Sequence, residues 1–135
     1  MGEEVFIDAN IFLEIFLDGE KADACEQFIK SLGDSNTRAI TTDFIIYSCF
    51  IIIYRNLKSP SQTRSAITFF ANYSNLFILK PSFDDLFTAT EIIDSAKLDF
   101  DDSLVIACMK SNGIKRLASL DKHFDKIKEI VRVRL

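Results

Sequence analysis

Three aspartates, Asp8, Asp102 and Asp121, stand where apolar segments end or helices begin. Asp8 closes the run Val5-Phe6-Ile7, Asp102 opens Ser103-Leu104-Val105-Ile106-Ala107, and Asp121 follows Arg116-Leu117-Ala118-Ser119-Leu120. Carboxylates are hard oxygen ligands, and several on one spot repel each other unless a divalent cation neutralises them. Such a site suits metal-assisted chemistry on phosphate esters, where water must be acidified and a leaving oxygen stabilised. Magnesium keeps several waters and takes one or two direct carboxylates, so three aspartates can hold it partly through water. Asp8 and Asp102 are the expected main ligands of Mg²⁺ or Mn²⁺, with Asp121 completing the pocket. Ser119 or Asn10 would orient them by hydrogen bonds.

The aspartates converge only if the elements between them bring them to one rim. Glu4 to Asp8 reads as a buried strand and Asn10 to Leu17 as a short helix. Lys21 to Leu32 is amphipathic, with Ala24, Cys25, Phe28, Ile29 and Leu32 on one face and Gly33 as its stop. Arg38 to Thr41 is a second strand, after which Asp43 reads as the N-cap of an apolar helix running to Leu57. Ser61 would cap a helix through Tyr73, and Leu76 to Leu79 is a third strand. Ser82 with Asp85 forms a capping-box pattern for a helix through Ala96. A helix from Asp101 to Ser111 feeds the strand Lys115 to Ser119, and a turn from Asp121 to Lys126 precedes a last strand, Ile130 to Val133. Alternating strands and helices without a linker or a repeat predict one domain, residues 1–135, with a parallel sheet covered on both faces. Ligands of such sheets sit at the carboxyl ends of the strands.

Composition narrows the function. The chain has 135 residues, 48% hydrophobic and 27% charged, ordinary values for a globular protein. Thirteen Phe lie scattered through the apolar segments and are read mainly as core. The apolar stretch Phe44 to Tyr54 falls short of the roughly 20 residues of a spanning helix. It reads instead as a helix buried on several sides, partly against another chain. Glu3 and Glu4 stand where a signal peptide would be basic, so a cytoplasmic protein is expected. Cys25, Cys49 and Cys108 lack ligand spacing and read as reduced core thiols. The net charge of −4 argues against gripping nucleic acid by charge alone. From Lys97 onward, however, nine Lys and Arg face six Asp and Glu, so this segment carries +3 and the rest −7. Either a solvated surface or a lane for a phosphate backbone explains that asymmetry.

In these motifs the chain resembles the PIN-domain family, including VapC toxin ribonucleases. The matching segments are Phe6-Ile7-Asp8-Ala9-Asn10-Ile11-Phe12, Leu98 to Ala107, and Leu117 to Asp125. The resemblance covers nearly the whole chain and implies an α/β/α three-layer sandwich with a mostly parallel sheet. It further implies metal-dependent RNA cleavage, frequent homodimers and, in the toxin branch, a small antitoxin partner. Asp8, Asp102 and Asp121 match three of the family's four acids, and Ser119 matches its usual Thr or Ser. The departure is Ser48, at the place where the family usually carries Glu one turn into the helix after the second strand. Asp43, about a turn earlier, reads as a plain N-cap or as a substitute acid.

Two functional readings follow. One is a ribonuclease, with the toxin of a VapBC-type pair as its specific form; the other keeps the fold as a weakened module for binding RNA or a protein, with Ser48 marking the lost acid. A phosphoacceptor domain also clusters acids at strand ends, but it wants a second acid paired with the early one, which Asp8 lacks. Asp99, Asp101 and Asp125 read as solvated or supporting residues. His123 reads as an exposed bystander rather than a general base. Homodimerisation is expected from Phe44 to Tyr54 and from the segments around Phe69-Phe70 and Phe83.

Overall fold

The structure, a computed structural model, describes residues 3–135. Five strands, β1 (Glu3–Ile7), β2 (Thr37–Thr42), β3 (Leu76–Leu79), β4 (Arg116–Ala118) and β5 (Val131–Val133), pair in the order β3-β2-β1-β4-β5. Every pairing is parallel, so the sheet expected to be mostly parallel is wholly so. Parallel neighbours need a crossover connection, usually helical and almost always right-handed. The crossovers here are α1 (Ala9–Phe16), α2 (Ala22–Gly33), α3 (Asp43–Leu57), α4 (Pro60–Asn72), α5 (Phe83–Ala96) and α6 (Phe100–Ser111). A 3₁₀ turn, Lys122–Lys126, leads into β5. The helices α1 to α4 pack among themselves and α5 packs on α6. Because strand order runs outward from β1 on both sides, the topological switch point lies between β1 and β4.

The central strand is apolar because it is covered on both faces: Val5, Phe6 and Ile7 are fully buried. Much of the phenylalanine content closes one side of this core. Phe12 meets Phe70 edge-on at 4.8 Å, and Phe50 meets the same ring at 5.6 Å, joining α1, α3 and α4. Each such pair is worth about 0.5–1.5 kcal/mol beyond its buried area. Cys25, Cys49 and Cys108 are free and buried in the core. Burial pushes the Cys49 and Cys108 thiols up to about 12, leaving them protonated and unreactive.

Several local expectations are corrected. Thr42, not Asp43, caps α3, accepting from the Ile45 amide at 3.2 Å; Asp43 is the first helical residue. Ser59, not Ser61, caps α4, because Pro60 takes the first helical position, where its missing N–H costs nothing. Gly33 ends α2 inside the helix, and Asp34 closes it with an ordinary right-handed backbone. On α2, Ala22, Cys25, Ile29 and Leu32 are buried while Ala24 is exposed. The helix α3 buries one stripe, Ile45, Ile46, Cys49 and Ile53, rather than several sides; Tyr47, Ile51 and Tyr54 face outward. The capping box of Ser82 and Asp85 forms as expected.

Candidate metal centre

The switch point fixes the first corner of the site. In the β1–β4 register Ile7 lies opposite Ala118, and the Asp8 amide donates to the Ala118 carbonyl at 2.9 Å. The next residues, Asp8 and Ser119, therefore emerge side by side at the carboxyl rim. Asp8 is buried and its side chain also caps α1, accepting from the Ala9 amide at 2.8 Å. Its other oxygen accepts from Ser119 Oγ at 2.8 Å and from Asn10 Nδ2 at 3.3 Å. Asn10 Nδ2 also donates to Ser119 Oγ at 3.1 Å, while Asn10 Oδ1 accepts from the Leu120 amide at 3.0 Å. Ser119 Oγ accepts in turn from the Asp121 amide at 3.0 Å. One hydroxyl thus ties Asp8 to the turn that carries Asp121.

The second flank comes from α6. Asp99 precedes this helix, and Asp101 and Asp102 occupy its first turn. A helix that returns antiparallel to β4 presents its N-terminus at the same rim, so Asp102 arrives opposite the β1–β4 corner. One carboxylate oxygen each from Asp102 and Asp121 and one ring nitrogen of His123 lie within 4.8 Å of one another. His123 is largely exposed, yet its Nδ1 stands 3.0 Å from Asp121 Oδ1. The same Asp121 oxygen accepts from the His123 amide at 2.9 Å. Asp8 is outside this tight group but feels it electrostatically.

The charges are poorly compensated. Among the described residues neither Asp8 nor Asp102 forms an ion pair with Lys or Arg, and Asp121 meets only His123. Burial first, then the charges of Asp101, Asp8, Asp121 and Asp99, push the Asp102 carboxyl up to about 7. Burial likewise raises Asp8, opposed by its hydrogen bonds to Ser119 and Ala9 and reinforced by Asp121 and Asp101. This donor set fits a divalent cation: hard oxygens, held close, whose repulsion such an ion would relieve.

Two further sequence candidates, Asp43 and Ser48, sit on α3, whose Cys49 thiol reaches the Ala9 carbonyl beside Asp8 at 3.9 Å. The Asp43 carboxylate folds back onto the Phe44 amide at 2.8 Å. Ser48 is half-buried along α3. The additional negative charge on the acids comes instead from Asp101 and, least, Asp99. Asp101, read from the sequence as solvated or supporting, and His123, read as an exposed bystander, stand beside the acids, and His123 is largely exposed as expected. Their only signal was proximity in sequence, one residue before Asp102 and two after Asp121.

Comparison with known proteins agrees with this architecture. Solved structures of similar fold include the Mycobacterium tuberculosis toxin VapC20, described as cleaving the sarcin–ricin loop. It shares 16% identity at a TM-score of 0.78, with 97% of this chain and 99% of that one covered. VapBC2 from Rickettsia felis, solved bound to a DNA fragment from its promoter, gives 16% identity and a TM-score of 0.74, covering 96% and 97% of the two chains. A toxin–antitoxin complex from Klebsiella pneumoniae gives 16% identity and 0.67, covering 94% and 95%. No curated protein matches the chain in sequence. The PIN-domain profile matches residues 5–130, and with its acids at the switch point of a wholly parallel sheet the chain belongs to the PIN-domain family.

Proposed function

We propose that this protein is a ribonuclease that depends on a divalent metal, Mg²⁺ or Mn²⁺, and acts as the toxin of a VapBC-type pair. The observation that carries the reading is the approach of Asp102, Asp121 and His123 to within 4.8 Å of one another at the carboxyl rim, beside the buried Asp8 carboxylate that Ser119 ties to the Asp121 turn. Asp102 and Asp121 hold the ion directly or through water, and Asp8 completes the set from the β1–β4 corner. A divalent ion supplies Lewis acidity and a water acidic enough to attack a phosphodiester near neutral pH. The protein's own contribution is orientation. Ser119 and Asn10 fix the Asp8 carboxylate, and Ser119 holds the Asp121 backbone, so the acids need not rearrange when substrate arrives.

The antitoxin and a second copy of the chain are the proposed partners, in the cytoplasm. Exposed apolar side chains support this: Tyr47, Ile51 and Tyr54 on α3, and Phe83 and Phe87 on α5. Among the described residues no helix is long and apolar enough to cross a membrane. The competing reading, a binding module with weakened catalysis, draws on Ser48, a neutral hydroxyl where the family usually supplies an acid.

Cleavage of a structured RNA with Mn²⁺ or Mg²⁺, its loss with chelator, and its loss in Asp8→Asn would bear out the nuclease. RNA binding without cleavage at any metal concentration would favour the module.

A further inference from the structure

We infer that the cavity bounded by Lys21, Lys122, Arg132 and Arg134 is an anion subsite, taking a phosphate of the RNA strand next to the one presented to the aspartates. The inference rests on the ribonuclease reading and extends it to a second contact with substrate.

The cavity has a volume of about 330 Å³, and its walls are those four cations with Leu120 and Leu135. No carboxylate side chain lines it. Three of the cations belong to the C-terminal segment whose charge is opposite in sign to the rest of the chain. Lys21, from the loop before α2, joins them across 114 residues, its Nζ donating to the Leu135 carbonyl at 3.4 Å.

Arg132 links this cavity to the acids. Its Nε and Nη2 grip Asp125 at 2.8 and 3.1 Å, and its Nη1 donates to the Ser119 carbonyl at 3.1 Å. A guanidinium has five N–H donors, so roughly two remain after these bonds. Ser119 is the residue whose hydroxyl holds Asp8 at 2.8 Å. Ser119 therefore touches both sides, its hydroxyl on Asp8 and its carbonyl on Arg132, and Leu120 next to it lines the cavity.

Nearby acids offset part of the positive charge: Asp125 lies in the field of Arg134 and Lys122 as well as of Arg132. Asp125 neutralises Arg132. The Glu14 carboxylate accepts from the Lys21 main-chain amide at 2.8 Å, partly offsetting that lysine. Lys122 and Arg134 are exposed and, among the described residues, make no side-chain hydrogen bond or ion pair. Like charges gathered round a concavity raise the local concentration of anions, and an Arg fork matches phosphate geometry. A chain of net charge −4 needs such local compensation to bring a polyanion to an acidic rim.

The test is fluorescence anisotropy of a short labelled single-stranded RNA, in chelator so that nothing is cut, across a salt series. In single strands each neutralised phosphate contributes roughly 0.7 to the slope of log affinity against log salt. The paired substitution Lys122→Gln with Arg134→Gln should lower the slope magnitude by about 0.7 and weaken binding about fivefold at about 0.1 M salt. Charge-preserving Lys122→Arg with Arg134→Lys should retain the slope, as should Arg55→Gln at the far end of α3. An equal slope in the parent and the glutamine variant would overturn the subsite, leaving the nuclease reading to stand if the parent still cleaves with Mn²⁺. A reduced slope in a protein that never cleaves would support the subsite and remove the nuclease. A parent that does not bind RNA in chelator would overturn the subsite, and its cleavage with Mn²⁺ would decide the nuclease reading separately.

Discussion

The two flanks of the acidic rim are built on opposite principles. On the β1–β4 flank the Asp8 carboxylate accepts from Ala9, Asn10 and Ser119, and hydrogen bonds partly offset the cost of its burial. On the α6 flank Asp102 gains no such bonds among the described residues, and burial and the neighbouring aspartates all raise its carboxyl. The first flank is a scaffold that is complete within the protein; the second is complete only with a proton or a cation. Such a split would suit the proposed cation site, because rigidity and charge strain are carried by different residues.

The sharpest way to break the comparison is to neutralise the strained flank. Asp102→Asn should reduce metal-dependent RNA cleavage by more than about 100-fold, beyond the range usual for outer-shell changes, while the fold remains intact by circular dichroism. A variant that cleaves at the parental rate would show that α6 does not serve the ion. Disturbing the scaffold should act differently. Ser119→Ala leaves the buried Asp8 oxygen short of a donor and should cost about 1–3 kcal/mol of stability. It should also weaken Mn²⁺ by about 10–100-fold, both readable by thermal melts with and without metal. Equal melting temperatures in chelator would contradict the scaffold role.

Adding charge gives a smaller effect. Ser48→Glu on α3 should raise cleavage several-fold if a missing acid limits it, and single-turnover kinetics on one RNA would reveal this. An unchanged rate would show that Asp101, already acting on Asp8 and Asp102, supplies what α3 does not.

The pH dependence of the metal-free protein is the mildest test. Asp102 in the folded chain stands at about 7, above its ordinary value of 3.8, so folding favours the protonated form. Its stabilising contribution is complete below the ordinary value and is lost as pH rises through about 7. The raised Asp8 acts in the same direction. In chelator the melting temperature should therefore rise as pH falls from 8 toward 5, and this rise should shrink in Asp102→Asn.

Much of this arrangement was legible before any coordinates. An apolar run, Val5-Phe6-Ile7, closed by Asp8, an Asp at a helix start and a Ser-Leu-Asp after a short apolar run each state their element, and parallel topology carries all three toward one rim. Side-chain detail was not legible. That Thr42 rather than Asp43 caps α3 depends on which residue first adopts helical backbone. The Asn10–Ser119 bond joins residues 109 apart and exists only through the β1–β4 pairing. His123 looked like a bystander because exposure is visible in sequence, whereas a turn that folds its ring back to Asp121 is not. Phe44 to Tyr54, Phe69-Phe70 and Phe83 could be named as apolar interface candidates, but Phe70 is buried and Phe69 packs against the core, which the sequence did not reveal.

The most direct measurement is calorimetric titration of the chelator-treated protein with Mn²⁺ at pH 6.5, in two buffers of different ionisation enthalpy. Binding at a shared acidic centre should saturate at one ion per chain with millimolar or tighter affinity, release protons, and vanish in Asp102→Asn. Absence of saturable binding in the parent, or binding that is unchanged in Asp102→Asn, would contradict a common cation site on these carboxylates.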